Sequence, residues 1–144
     1  MLRKASWTTV AVSAIAAAVS LGLLSCDGKI AQCNRLIEVI NKEQGPLKKA
    51  TGNDPAALKK LADTLDNVAK KVEGVELKDE KLVSFRNEYS QMAKDLGKAS
   101  RDTASAVESN DPKKAQDAAK NMSSFGDRES ELVDNINKYC SGSG

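Results

Sequence analysis

The chain contains no histidine. That removes Ser–His and Cys–His nucleophile pairs and histidine metal sites. It also removes the Glu-x-x-His pairs on which di-metal helix bundles are built. Aromatic residues are few, at 3% of the chain: Trp7, Phe85, Tyr89, Phe125 and Tyr139. No GxxxxGK[ST] phosphate loop occurs. No segment alternates apolar and polar residues as a half-buried strand does. Neither charge dominates, with 22 Lys and Arg against 20 Asp and Glu. A basic nucleic-acid binder is therefore disfavoured. Only one long apolar run is present, Val10–Leu24, and only three cysteines, Cys26, Cys33 and Cys140.

The apolar run sits where an export leader would. Arg3 and Lys4 supply a basic start, and an Ala-rich uncharged stretch follows to Leu24. At about 15 residues it is shorter than the roughly 20 that a membrane-spanning helix requires. Ser13, Ser20 and Gly22 dilute it further. It ends in Leu23-Leu24-Ser25-Cys26, which resembles the lipobox of bacterial lipoproteins, although the position of Leu24 more commonly holds a smaller residue. The resemblance implies that residues 1–25 are removed and that Cys26 carries the lipid and becomes the mature N-terminus. It also implies a tether of residues 26–29. Several acyl chains hold a protein far more firmly than one, whose grip is marginal and reversible. Removal of the leader takes Arg3 and Lys4 with it, leaving 20 basic against 20 acidic side chains. The 119 residues that remain suffice for one domain with a modest core.

Those residues read as four helices. Asn53-Asp54-Pro55 and Asn110-Asp111-Pro112 repeat one start signal, an Asp that can accept free helix N–H groups followed by Pro at the first helical position. Lys78-Asp79-Glu80 is a third start. The first helix is expected over about 29–50 with a break near Pro46, on the stripe Ile30, Cys33, Ile37, Ile40 and Leu47. The second, about 55–73, carries Leu58, Leu61, Leu65, Val68 and Val72. The third, about 79–109, carries Leu82, Phe85, Tyr89, Met92, Leu96, Ala99, Thr103 and Ala106. The fourth, about 112–140, carries Ala115, Ala118, Met122, Phe125, Leu132, Ile136 and Tyr139. Glu129 interrupts that last stripe, and Gly126 beside it suggests a kink. Steps of three and four give heptad spacing, the pattern of helices crossing at a shallow angle. The expected fold is all-α, an antiparallel up-down-up-down four-helix bundle over residues 30–140, with 141–144 as a flexible tail.

In such a bundle the start of the first helix and the end of the fourth share a pole. Export would place them in an oxidising compartment. A Cys33–Cys140 disulfide is therefore expected; two buried free thiols are the other possibility.

No catalytic, cofactor or metal site is expected. The acids Asp63, Asp66, Glu73, Asp95, Asp102 and Asp117 lie off the apolar stripes and read as a solvated face. Four Lys-Lys pairs, at 48–49, 59–60, 70–71 and 113–114, are interspersed with acids and read as surface charge, with contact to anionic lipid or cell-wall polymer as the alternative. Asn121-Met122-Ser123 matches a glycosylation sequon, but Met122 falls on the core stripe. The layout of lipobox, short tether and small helical domain resembles the small lipoproteins of gliding bacteria that assist contact-stimulated motility. It implies a non-enzymatic envelope protein that works as a scaffold or accessory subunit, with a membrane and an envelope protein as partners. The alternative function is a module that binds a small apolar ligand or a cell-wall fragment. Facing the periplasm, the protein would sit at the outer membrane. An inner-membrane site stays open, because Asp27 resembles the retention signal of enteric bacteria. Loops on rigid scaffolds often carry binding, so Lys48, Lys49 and Asn110 are the candidate partner-binding residues.

Overall fold

The computed structural model describes residues 28–49 and 52–142. They form four helices: α1 Lys29–Lys49, α2 Pro55–Glu73, α3 Glu80–Glu108 and α4 Pro112–Cys140. No strand occurs among the described residues. Consecutive helices run antiparallel and make the expected bundle.

The start signals act as their chemistry dictates. Asp54 accepts the backbone N–H groups of Ala56 and Ala57, both at 3.0 Å. Asp79 and Asp111 accept those of Leu82 and Lys114, each at 3.0 Å. Each Asp satisfies orphan donors of a first turn, and Pro55 and Pro112 occupy positions where a missing N–H costs nothing. The turn from α3 to α4 is a Schellman motif. Asn110 takes the left-handed conformation at φ 53°. Its N–H reaches Val107 O at 3.1 Å, while that of Asp111 reaches Ala106 O at 3.0 Å.

Two expected interruptions are absent. Helix α1 continues through Pro46 to Lys49, because Leu47 beyond it is half-buried against the core and holds the last turn in place. Helix α4 is unbroken at Gly126, where an added Cβ would meet nothing within 4 Å. Glu129 is accommodated by a hydrogen bond from Tyr89 Oη to its Oε1 at 3.0 Å. The α1 stripe is also shifted. Leu36 is fully buried with Cys33 and Ile40, whereas Ile30 is 72% exposed.

Helix α3 is the central element. One flank carries the stripe from Leu82 to Ala106. The other, Ser90, Ala93, Gly97, Ser100 and Ala104, is made of small residues and faces α2. There the backbones come close. Ser90 Oγ donates to Ala69 O at 3.3 Å, and a Cβ on Gly97 would stand 3.4 Å from Ala62 O and 3.3 Å from Asp66 Oδ1. Ion pairs edge the same seam: Lys94–Glu73, Arg101 with Asp66 at 2.6 Å and Asp63 at 3.0 Å, and Lys59–Glu108 at 2.6 Å. Exposed pairs of this kind add little each, so close packing of small residues carries most of the contact.

The four elements do not cover each other along their whole length. Helix α1 is antiparallel to α4, with Cys33 on Cys140 and Ile37 and Ile40 beside Val133 and Ile136. It stops where Leu47 meets Leu65, Val68, Met92, Leu96 and Phe125, midway along α3. At the other end α2 stops early, and residues 74–79 run on beside the first turns of α3. Val75 is buried there. Arg86 Nη1 donates to Val75 O at 3.0 Å, and Gln32 Oε1 accepts the N–H groups of Lys78 and Asp79 at 2.6 and 2.9 Å.

Candidate functional site

The features that bear on function lie at the two ends of the bundle, with one buried feature between them. The first end gathers the start of α1, the start of α3 and the end of α4. Cys33 and Cys140 form a disulfide there, with Cα atoms 5.7 Å apart across a sequence separation of 107. Tyr139 Oη donates to Asp79 at 2.9 and 3.1 Å, its ring lies edge-on to Phe85 with centroids 5.9 Å apart, and Lys29 Nζ stands 3.6 Å from its centroid. The Leu82 N–H, then the Tyr139 hydroxyl and the charge of Lys29, hold the Asp79 carboxyl below its ordinary range against some desolvation. The same hydrogen bond, together with burial and the Asp79 charge, pushes the Tyr139 phenol up. Cys26, the lipobox Leu23–Cys26 and the leader lie outside the described residues. Residue 28, where the description begins, is at this end.

At mid-height a cavity of about 40 Å³ is lined by Leu47, Leu65, Val68, Tyr89, Met92 and Phe125, with Glu129 at its edge. A water occupies roughly 10–15 Å³ on this measure, so the space matches a few waters rather than a lipid-sized ligand. Burial first, and then the charge and hydrogen bond of Glu129, raises the Tyr89 phenol far above its ordinary value. Nearby, Lys71 Nζ contacts both oxygens of buried Glu43 at 2.9 Å, joining α2 to α1.

The opposite end holds the α3–α4 turn and the start of α2. Val107 is 40% exposed there, although its predecessors on the same flank of α3, Ala93 and Ser100, are buried. It lies in the last turn of α3, beside the first turns of α2. Among the described residues, Ile30 and Val107 are the two exposed large apolar side chains, and they stand at opposite ends.

The sequence-derived partner residues are not brought together. Asn110 is exposed in the α3–α4 turn. Lys49 is exposed at the end of α1, next to Leu47, which shares the cavity wall with Met92 and Leu96. Those residues precede the end of α3 by three to four turns, so Lys49 stands about 20 Å below Asn110 along the bundle axis. The Lys48 side chain is outside the described residues, as is that of Asn121 in the sequon.

Buried Gln32 and Glu43 were not singled out in the sequence. Glu43 occupies the stripe position between Ile40 and Leu47, as Glu129 does between Phe125 and Leu132. A charged residue in phase with an apolar stripe was the signal available. Gln32 had no such signal, because its partner is an irregular segment. Among the described residues no group of three or more His, Cys, Asp or Glu side chains is placed to hold a metal. No helix among them is long and apolar enough to cross a membrane. Compared with protein-family models, curated proteins and solved structures, the chain matches none.

Proposed function

We propose that this chain is a lipid-anchored protein of the bacterial envelope that presents the far end of its bundle to a protein partner, as an accessory subunit of an envelope machine such as a motility apparatus. The observation that supports this reading is the polarity of the molecule. Helix α1 starts at the disulfide end, at Lys29, three positions after Cys26 of the lipobox-like Leu23–Cys26. Helix α3, with 29 residues, carries exposed Val107 and the Asn110 turn about 43 Å away from that end. A lipid on Cys26 leaves residues 27 and 28 as the only spacer before α1, so one end is confined near the membrane and the other is held out from it. Loops held on a rigid scaffold often carry binding, and this turn has exposed Val107 beside it.

Cys26→Ser is the direct test. In its host the variant should lose both acylation and leader removal, seen as an intact mass that keeps residues 1–25 and lacks acyl chains. A variant that is still cut before residue 26, or a wild-type protein without acyl chains, overturns the anchor.

A further inference from the structure

Ile30 lies on the flank of α1, off the buried line of Cys33, Leu36 and Ile40, and at 72% exposed it is the more exposed of the two exposed large apolar side chains among the described residues. It stands in the first turn of α1. The side chains tied to the same end by contacts already described are rich in ammonium groups. Lys29 lies over Tyr139, Lys81 lies over Phe85 with Nζ 4.8 Å from the centroid, and the backbone of Lys78 is held by Gln32. Lys138 precedes Tyr139 on the last turn of α4. Of the acids there, Asp79 is engaged by the Leu82 N–H and the Tyr139 hydroxyl; Glu76 and Glu80 remain exposed.

We infer that the disulfide end is a lipid-docking surface, on which Ile30 enters the headgroup–acyl boundary of a phospholipid layer while Lys29, Lys78, Lys81 and Lys138 meet its phosphates. The inference rests on the proposed acylation of Cys26. Ile30 is four positions after Cys26, and a chain spans at most about 3.6 Å per residue. Ile30 therefore stands no more than about 14 Å from the acylated sulfur-bearing residue. An apolar side chain at that distance, at an end of the bundle that also carries four lysines, has the composition of an interfacial anchor, in which the apolar part sinks roughly 5–10 Å and lysines reach to the headgroups. With the bundle seated this way its long axis stands off the membrane instead of lying along it. The second signal also adds to the acyl chains' hold on the surface.

The only tryptophan of the chain is Trp7, in the leader, so a single introduced tryptophan reports without background in the processed protein. Full-length Ile30→Trp and Val107→Trp are each produced in the host, purified as acylated proteins and checked by intact mass. They are then reconstituted into vesicles of phosphatidylethanolamine and phosphatidylglycerol with or without bromine on the acyl chains. The expected result is blue-shifted emission from Ile30→Trp, quenched about twofold or more by brominated lipid, with Val107→Trp red-shifted and unquenched, because bromine quenches only within the acyl boundary that an interfacial residue reaches. Equal, weak quenching of the two in verified acylated protein overturns the docking surface and leaves the anchor standing. Blue-shifted but unquenched emission from Ile30→Trp shows that protein, such as a second copy, covers Ile30, and overturns lipid docking. Absence of acyl chains on Cys26 removes the anchor and this inference together.

Discussion

The tyrosines illustrate how single residues register the bundle's interior. The chain has two, Tyr89 and Tyr139, and both donate to carboxylates, Glu129 and Asp79. A phenol that donates to an anion resists losing its proton, and burial adds to that at Tyr89. Both are therefore raised above the ordinary value of 10. The consequence for stability has a definite sign. Below pH 10 the phenols are protonated in both folded and unfolded chains, and the contribution is intact. Above it the unfolded chain releases protons that the folded one retains, so stability falls as pH rises. Absorbance near 295 nm should show little phenolate in the native protein at about pH 10.5, whereas in concentrated guanidinium both tyrosines should titrate near pH 10. A native titration that matches the denatured one would mean that the Tyr89–Glu129 and Tyr139–Asp79 bonds are absent in solution.

At the scale of elements, the helices differ in what secures them. Helix α3 is buried on two flanks, against α2 through small residues and against α4 through larger ones, so α3 holds both α2 and α4 along most of their length, while the backbones of those two do not come close to each other. Helix α1 covers half of that length; beside its buried Leu36 and Ile40 it is fastened by discrete links: the disulfide, Gln32 on the 78–79 backbone, and the Glu43–Lys71 pair. Closing a loop of about 100 residues contributes roughly 4.7 kcal/mol in the chain-entropy account, an upper guide. Cys33→Ser and Cys140→Ser should each lower the thermal midpoint, and the double variant should lose no more than either single one. Hydrogen exchange should then rise first in residues 29–49, while α3 stays protected. Additive losses, or exchange rising equally in all four helices, would show that the disulfide is not what fastens α1. Helix number, direction, caps and the disulfide were legible in the sequence, because each depends on spacing and on residues next to one another in the chain. What was not legible depends on neighbours distant in sequence. Pro46 sits inside a helix because Leu47 has a core to pack on. Glu129 sits inside an unbroken α4, where Tyr89 reaches it. The second buried flank of α3 escaped notice because Ala, Ser and Gly carry no hydrophobic signal of their own. Ile30 falls on the three-and-four spacing of Cys33 and Ile37, but the buried line of α1 runs through Leu36, and only the neighbours distant in sequence decide between the two.

At the scale of the whole molecule, the unequal helix lengths give the bundle two unlike ends. Had α1 run the full length of α3, Lys48 and Lys49 would have stood beside Asn110, as the loop positions alone suggested. Because it stops midway, the lysines belong to the waist, and the far end is left to Val107, the Asn110 turn and the start of α2. If a partner docks at that end, its contact should be sensitive to Val107 and Asn110 and much less so to Lys48 and Lys49. Val107→Asp places a charge where apolar contact is expected, on a residue already 40% exposed, so the fold should tolerate it. Asn110→Asp keeps a residue type that accepts the left-handed conformation while adding a negative charge at the turn. Each should weaken co-purification of the partner from host membranes about tenfold, equivalent to about 1.4 kcal/mol of binding free energy. Lys48→Glu with Lys49→Glu should change it by much less. Thermal midpoint and acylated mass should match the wild type in every variant, which separates lost contact from lost folding or lost anchoring. The reverse ranking, with the lysine reversals abolishing capture and Val107→Asp and Asn110→Asp behaving as wild type, would move the working surface to the waist of the bundle, where α1 ends.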